Sequence, residues 1–163
     1  MLSPSAQAAE KGYRYWGYFQ AAPSASTWTM AMTGPSTVVP DGSVEGWVFT
    51  FSSDSIPNAA QPMFTPNFSR LCGKTKFIVK TQKRIGVIVD FGKTVLRPKG
   101  EEIPHFVSKC VVIEKSAIGA DILAKATKIR MAASGFVCAL NSYPAKECGA
   151  EITTPPSMIV KKK

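Results

Sequence analysis

Histidine and paired cysteine motifs are nearly absent from this chain. Its 163 residues include one histidine, His105, and four cysteines, none of them in a Cys-x-x-Cys pair. A zinc site would therefore need an unusual ligand set. The sequence also lacks a Gly-x-Ser-x-Gly motif, a P-loop and a metal-binding signature, so it indicates no particular reaction. We predict that the protein is not an enzyme and has no catalytic residues, metal site or cofactor.

Long apolar runs are absent too. No stretch approaches the ~18–20 residues of a membrane span, and nothing before Tyr13 has the basic flank and apolar core of a signal peptide. The small residues at 6–9 resemble those that follow a signal-peptidase site. We expect 1–12 to be a flexible segment after a removed signal peptide, 13–152 a single globular domain, and 153–163 a flexible linker or stalk. The protein would be secreted, and its full-length form would be tethered to the cell surface or membrane.

Acidic residues are scarce, since 11 Asp and Glu stand against 20 Lys and Arg and leave a formal charge of +9. Three positive charges belong to the terminal lysines at 161–163. Another cluster at 74–84 alternates with Phe77, Ile78 and Val79, which indicates the solvated face of a strand pair, with a strand over 76–79. Nucleic acid is disfavoured by this distribution. The alternative is an attraction to an anionic envelope surface, such as lipid headgroups or cell-wall polyanions.

The four cysteines predict two disulfides. They allow three pairings, and Cys138 and Cys148 flank a short turn that makes them natural partners. Cys72 is then left with Cys110. Such cysteines in a chain with twelve glycines and twelve prolines favour an oxidising compartment.

What the sequence does contain is an aromatic block over residues 13–51, with all three tryptophans and three of the four tyrosines. Aromatic residues in alternation predict strands at 13–19, 28–32 and 44–51, joined by turns into a meander. Neighbouring aromatic positions point to opposite faces of such a sheet, so burying all of them would need a layer on each side. Candidate binding residues, with plain core packing as their alternative, are Tyr15, Trp16, Tyr18, Trp28 and Trp47.

The rest of the chain predicts more strands and one principal helix. Residues 52–67 have the composition of a loop, 68–73 of a short helical turn, and 84–91, 110–114 and 136–140 of strands. Apolar residues at helical spacing predict an amphipathic helix from an N-cap at Ser116 to a stop at Gly135. Its apolar stripe would cover the sheet. The fold class is therefore α+β with a mostly antiparallel sheet. The predicted stripe consists of Ile118, Ile122, Ala126, Ile129 and Ala133.

Several motifs, in this order, resemble a family of small secreted actinobacterial proteins encoded near energy-coupling-factor (ECF) transporter components. The motifs are YRYWGYF, W-x-M with GP, DGSVEGWVF, RIGVIVDFG and GADIL…SGFVCALNSYP…ECG. The resemblance extends from Tyr13 to Gly149. It implies a signal peptide and a C-terminal anchor in the full-length protein, and an ECF-type transporter or another membrane-protein complex as partner.

A fainter resemblance connects the GADIL helix, the Ser-Tyr turn and the paired aromatic strands to β-grasp-like domains of the transcobalamin type. In those domains the helix precedes the aromatic strands, whereas here it follows them. The resemblance therefore implies a circularly permuted β-grasp-like fold and a small ligand such as a corrinoid.

Three functions compete on this evidence. The first is an extracytoplasmic, non-catalytic binding or accessory module of a membrane import system. The second is a structural or interaction subunit of a cell-envelope assembly, with edge strands available for pairing. The third, a glycosidase-type enzyme, has the carboxylates Asp90, Glu101, Glu102 and Asp121 but no supporting pattern.

Overall fold

The computed structural model describes residues 9–161, and its α+β architecture with one main helix and two disulfides confirms the predicted class. A six-stranded sheet is accompanied by a two-stranded hairpin. The strands are β1 (Lys11–Ala21), β2 (Thr29–Met30), β3 (Val44–Ser52), β4 (Gln82–Asp90), β5 (Val107–Glu114), β6 (Ile129–Met131), β7 (Val137–Leu140) and β8 (Glu151–Thr153). The helices are α1 (Phe68–Cys72) and α2 (Gly119–Ala126), with 3-10 turns at Thr94–Leu96 and Pro156–Met158.

The sheet order is β2-β1-β3-β4-β5, and β8 also pairs with β1. The predicted meander is wrong, because β1 lies between β2 and β3. β1 pairs with β3 along nine residues, from Tyr13 opposite Ser52 to Ala21 opposite Val44. On its other edge, β1 pairs with the two-residue β2 through Phe19 and Gln20. β3 and β4 are parallel and the other pairs are antiparallel, so the sheet is mixed.

Each face of the sheet is covered, as the alternation of apolar residues required. The larger core lies under α2, whose Ile122 and Leu123 are fully buried, and under the β6–β7 hairpin. Burying one such side chain contributes about 1.5–3 kcal/mol. The smaller core lies under α1, Trp28 and the loop that follows β3. The Trp28 ring approaches β3 at Gly46, where any Cβ would come within 2.7 Å of the indole.

The main helix is shorter than its sequence pattern predicts. α2 begins after Ile118, whose backbone N–H donates to Asp121, so Ser116 is not the N-cap. It ends at Ala126, because Thr127 is extended and its hydroxyl donates to Leu123 O. Ile129 lies in β6, and its pairing with β7 replaces further helix. Within residues 9–161 no helix is both long and apolar enough to cross a membrane.

The predicted strand at 76–79 is also wrong. This segment runs into a turn, closed where Thr81 N and Gln82 N donate to Ile78 O at 3.0 and 2.8 Å. A strand there would need a neighbour, but the sheet partners of this region begin only at Gln82, opposite Glu114. The other short helix is confirmed as α1, which Asn67 caps by accepting from Arg70 N.

Both disulfides are confirmed. Cys72–Cys110 joins α1 to β5, and Cys138–Cys148 joins β7 to the loop that follows it. At the end of the described chain, β8 pairs with β1 and the buried Thr154 donates its hydroxyl to Glu10 O at 2.7 Å. Met158 packs against the larger core.

Candidate functional site

The structure divides the five predicted aromatic residues between two faces of the sheet. Trp16, Tyr18 and Trp47 lie together on the face that α2 covers. Trp28 lies on the other face, where its indole N–H donates to Phe64 O at 2.9 Å. Tyr15 contacts Ser52 through its hydroxyl at 2.8 Å. The residues therefore form no single aromatic surface.

The three residues that meet form the floor of an open cleft of about 370 Å³, which we call the aromatic cleft. Its walls are residues 33–35 and 134–137. Tyr18 stacks on Trp47 with ring centroids 4.4 Å apart. Trp16 and Trp47 are only 4% and 3% exposed, so they offer ring edges to a ligand and contribute mainly to core packing.

A polar group lies beneath the aromatic cleft. The Tyr18 hydroxyl donates to one oxygen of Glu45, and the Gln20 amide donates to the other at 3.1 Å. Glu45 is 2% exposed, and burial raises the pKa of its carboxyl. Burial and the neighbouring Glu45 raise the pKa of Tyr18 as well. A Cβ on Gly119 would lie 2.8 Å from the Tyr18 hydroxyl, so the start of α2 closes over this group.

The members of this polar group are hydrogen-bonded to one another. Each oxygen of Glu45 already accepts a hydrogen bond from the protein. Lys83 is buried on the same face, and its ammonium donates to Lys115 O and Ala117 O at 2.9 and 2.7 Å. Burial lowers the pKa of Lys83. Among residues 9–161, no group of three or more His, Cys, Asp or Glu side chains could hold a metal ion.

A second concave site, which the sequence did not predict, lies where β3 and β4 end. Because these two strands are parallel, their carboxyl ends meet at one edge of the sheet. The cavity there has a volume of about 780 Å³, and we call it the carboxyl-end cavity. Its apolar wall consists of Phe49, Phe51, Ile56, Met63, Leu96 and Met158.

Hydrogen bonds hold the loop of residues 53–67 over the carboxyl-end cavity. Asp90 accepts from Met63 N at 2.8 Å through one carboxylate oxygen and from Gly92 N at 2.9 Å through the other. Thr50 accepts from Ala60 N at 3.0 Å. Both carboxylate oxygens of Asp90 are therefore hydrogen-bonded, and the bond from Met63 N helps to hold the loop in place. The rim carries the exposed polar side chains of Asn58, Gln61 and Lys93.

Sequence reasoning missed this cavity for an identifiable reason. Asp90 was visible as a polar residue at the end of the clearest strand. The parallel pairing of β3 with β4, which brings Val48 opposite Asp90, leaves no local signal. The nearest available signal in the sequence is Gly92. Its φ is +78°, and a Cβ at this position would lie 2.1 Å from Phe49 O, so no other residue fits.

One buried polar atom in the described region has no hydrogen-bond partner, the hydroxyl oxygen of Tyr143. Its ring packs edge-on against Phe49, with centroids 5.1 Å apart, behind the wall of the carboxyl-end cavity. Burial raises the pKa of Tyr143 to about 12. Its main-chain carbonyl accepts from the Trp16 indole at 3.1 Å. Tyr143 therefore links the cavity wall to the floor of the aromatic cleft.

These features define a small α+β domain stapled by two disulfides, which fits an oxidising, extracytoplasmic location. The model of the SCO2322-like domain matches residues 8–153, and the chain belongs to this family. No curated protein and no solved structure matches it. The ECF-type partner and the permuted β-grasp-like arrangement thus stay predictions from the sequence motifs.

Proposed function

We propose that this protein is an extracytoplasmic, non-catalytic binding module, and that its ligand lies in the carboxyl-end cavity. The observation that carries the proposal is the cavity itself. Small-molecule sites are clefts of roughly 300–1,000 Å³, mostly apolar, with a few polar groups. The carboxyl-end cavity has about 780 Å³, a mostly apolar lining and a few polar side chains.

The lining selects a class of ligand. The body of the molecule would contact Met63, Val95 and Met158, the accessible apolar side chains of the lining, so it is apolar or aromatic. Lys93 at the rim favours a ligand with a neutral or anionic polar group. Asp90 does not oppose an anion strongly, because two backbone N–H groups already neutralise part of its charge.

The aromatic cleft is the weaker candidate for the same role. It has less than half the volume, about 370 Å³ against about 780 Å³. A ligand there would contact Tyr18 and the ring edges of Trp16 and Trp47. Their fluorescence would report it, whereas no tryptophan lines the carboxyl-end cavity.

The cellular role completes the proposal. We propose a secreted accessory module of a membrane import system, with an ECF-type transporter as partner and a corrinoid as the first ligand to test. The sequence motifs support the partner and the ligand. The two disulfides support the location outside the cytoplasm.

The test is a titration with 1-anilinonaphthalene-8-sulfonate, an apolar anionic probe, and with a corrinoid, followed by calorimetry. Ala60 lines the cavity and Ala22 is exposed in a distant loop. We expect A60W to fill the cavity and weaken binding of the anionic probe at least about tenfold, or about 1.4 kcal/mol, while A22W binds as the wild type does. Equal melting temperatures establish that both variants are folded. Equal binding by A60W and wild type would contradict the proposal.

A second candidate function, an interaction subunit of an envelope assembly, is favoured by one exposed feature. Phe64 and Phe106 are 51% and 40% exposed, and their rings pack together with centroids 4.9 Å apart. Phe106 directly precedes β5, which ends the sheet order on one side. Edge strands beside apolar side chains are sites of strand addition. Self-association by sedimentation velocity that F64S/F106S abolishes, together with no probe binding, would favour this function.

A further inference from the structure

Two adjacent apolar side chains stand at the tip of a turn on the basic side of the molecule. Ile78 and Val79 are 62% and 68% exposed. Single exposed apolar residues need no explanation. Here two consecutive apolar residues are both exposed, in a turn closed by Thr81 N donating to Ile78 O. We call residues 74–81 the basic turn.

The basic turn is fixed by hydrogen bonds on both sides of its tip. Thr81 N and Gln82 N donate to Ile78 O, and Ile78 N donates to the Gln82 side chain at 2.9 Å. The Cys72–Cys110 disulfide anchors the chain just before it, and β4 begins just after it. A tip that is already ordered loses little conformational entropy when it binds.

The side chains of the basic turn carry positive charges only. Lys74, Lys76 and Lys80 are exposed and flank the apolar pair on both sides, and residues 73–81 contain no Asp or Glu. Arg84 does not take part, since it lies 4.1 Å over the Phe77 ring and is paired with Asp41 at 3.5 Å. Three lysines and two apolar side chains are therefore exposed within seven consecutive residues.

We propose that the basic turn docks the protein on an anionic phospholipid surface. Ile78 and Val79 enter the interfacial layer, while Lys74, Lys76 and Lys80 contact lipid phosphates. An apolar tip within a basic rim matches such a surface in both polarity and charge. Each lysine near an anionic bilayer contributes about fivefold to partitioning.

The position of the turn is compatible with a ligand site elsewhere. β4 begins beside the basic turn at Gln82 and ends at Asp90 in the carboxyl-end cavity. Eight residue steps along a strand span roughly 26 Å. Docking through the turn therefore leaves the cavity mouth at the far end of the strand. The docking proposal does not depend on the binding proposal.

The test is cosedimentation with vesicles of phosphatidylglycerol and phosphatidylcholine, compared with phosphatidylcholine alone. We expect wild type to bind only the anionic vesicles. I78S/V79S should bind about tenfold more weakly, and K74E/K76E/K80E at least about a hundredfold more weakly. The matched controls are M32S, at a side chain that is 92% exposed, and K125E/K128E/K146E, which changes the net charge equally. Both controls should stay within about fivefold of wild type.

Four results would overturn the docking proposal. If I78S/V79S bound anionic vesicles as tightly as the wild type, insertion of Ile78 and Val79 would be excluded. An equal loss in the two charge-reversed variants would assign binding to net charge alone. Loss in K161Q/K162Q/K163Q with no loss in K74E/K76E/K80E would assign it to the terminal lysines. Equal competition by soluble polyphosphate and by anionic vesicles would show a preference for polyanions rather than bilayers.

Discussion

Glu45 shows how a single residue couples the aromatic cleft to stability. Its carboxylate is buried between Tyr18 and Gln20, and the pKa of its carboxyl is raised because burial outweighs the hydrogen bonds it accepts. The native state therefore keeps a proton at pH values where the unfolded chain, with a pKa near 4.5, has released it. Stability must fall as pH rises from about 4.5 through the raised value.

The substitution Glu45→Gln tests this linkage. Glutamine retains the shape and accepts from Tyr18, and the Gln20 amide can flip to present its oxygen. We expect the free energy of unfolding of E45Q, measured relative to wild type in urea, to rise with pH above about 4.5 and then level off. Each unit of pKa shift corresponds to about 1.4 kcal/mol. The exposed Asp54→Asn variant serves as control, and a difference for E45Q that does not vary with pH would refute the linkage.

For single residues, the sequence indicated the face of the sheet on which a side chain lies but not how deeply that side chain is buried. Trp47, Phe49 and Phe51 alternate along the predicted strand at 44–51, and the structure places all three in the larger core. Alternation could not show that Trp16 and Trp47 are nearly inaccessible. Their burial depends on α2 and the β6–β7 hairpin, which lie about 70 to 120 residues further along the chain.

Among the elements, the chain between α2 and β6 is held by Asn141, in the turn that follows β7. Asn141 has a left-handed φ of 50°. Its side chain accepts from Lys128 N at 2.9 Å, and its backbone N–H donates to Lys128 O at 2.8 Å. These two bonds hold the chain extended just after α2 ends.

Substitutions at Asn141 should therefore separate backbone strain from the lost hydrogen bond. We expect Asn141→Ala to lose about 2 kcal/mol of unfolding free energy, since it forfeits the bond and leaves a Cβ in the left-handed region. N141G should lose about 1 kcal/mol, because glycine tolerates that φ. N141D keeps both features and should remain within about 0.5 kcal/mol of wild type. Urea unfolding measures all three, and equal losses in N141A and N141D would contradict this assignment.

The sequence pattern could not predict where α2 ends. Ile129 continues the stripe of Ile122 and Ala126 at helical spacing, so periodicity alone extends the helix. Thr127 is a poor helix former, but its preference is too weak to fix an end. The competing pairing of Ile129 with Leu140 decides the matter.

Across the whole molecule, the two disulfides should differ in their contribution to stability. Cys72–Cys110 spans 38 residues and Cys138–Cys148 spans 10. A chain-entropy argument gives about 4 and about 3 kcal/mol respectively. We expect C72A/C110A to unfold at a lower urea concentration than C138A/C148A. Reduction of the wild type should add the mass of about four hydrogens, because two bonds open.

If C138A/C148A instead unfolded at the lower urea concentration, native packing around the bridges would outweigh the entropy of loop closure. Cys72 is fully buried, so its replacement also leaves a small cavity that acts in the same direction. Chemical reduction of each double variant opens only the bridge that remains and creates no new cavity, so it is the control for this comparison.

The sequence by itself determined the α+β class, both disulfides, the inward face of β4 and the loop over residues 52–67, because each depends on local spacing and composition. Only the tertiary structure decided the parallel pairing of β3 with β4, the end of α2 and the turn at Ile78 and Val79. Those features depend on contacts between residues far apart in the chain, and such contacts override weak local preferences. The carboxyl-end cavity follows from such contacts, so residue patterns alone could not locate it. The lysine cluster at 74–84 was visible in the sequence, but only the structure shows that 76–79 runs into a turn and is not a strand.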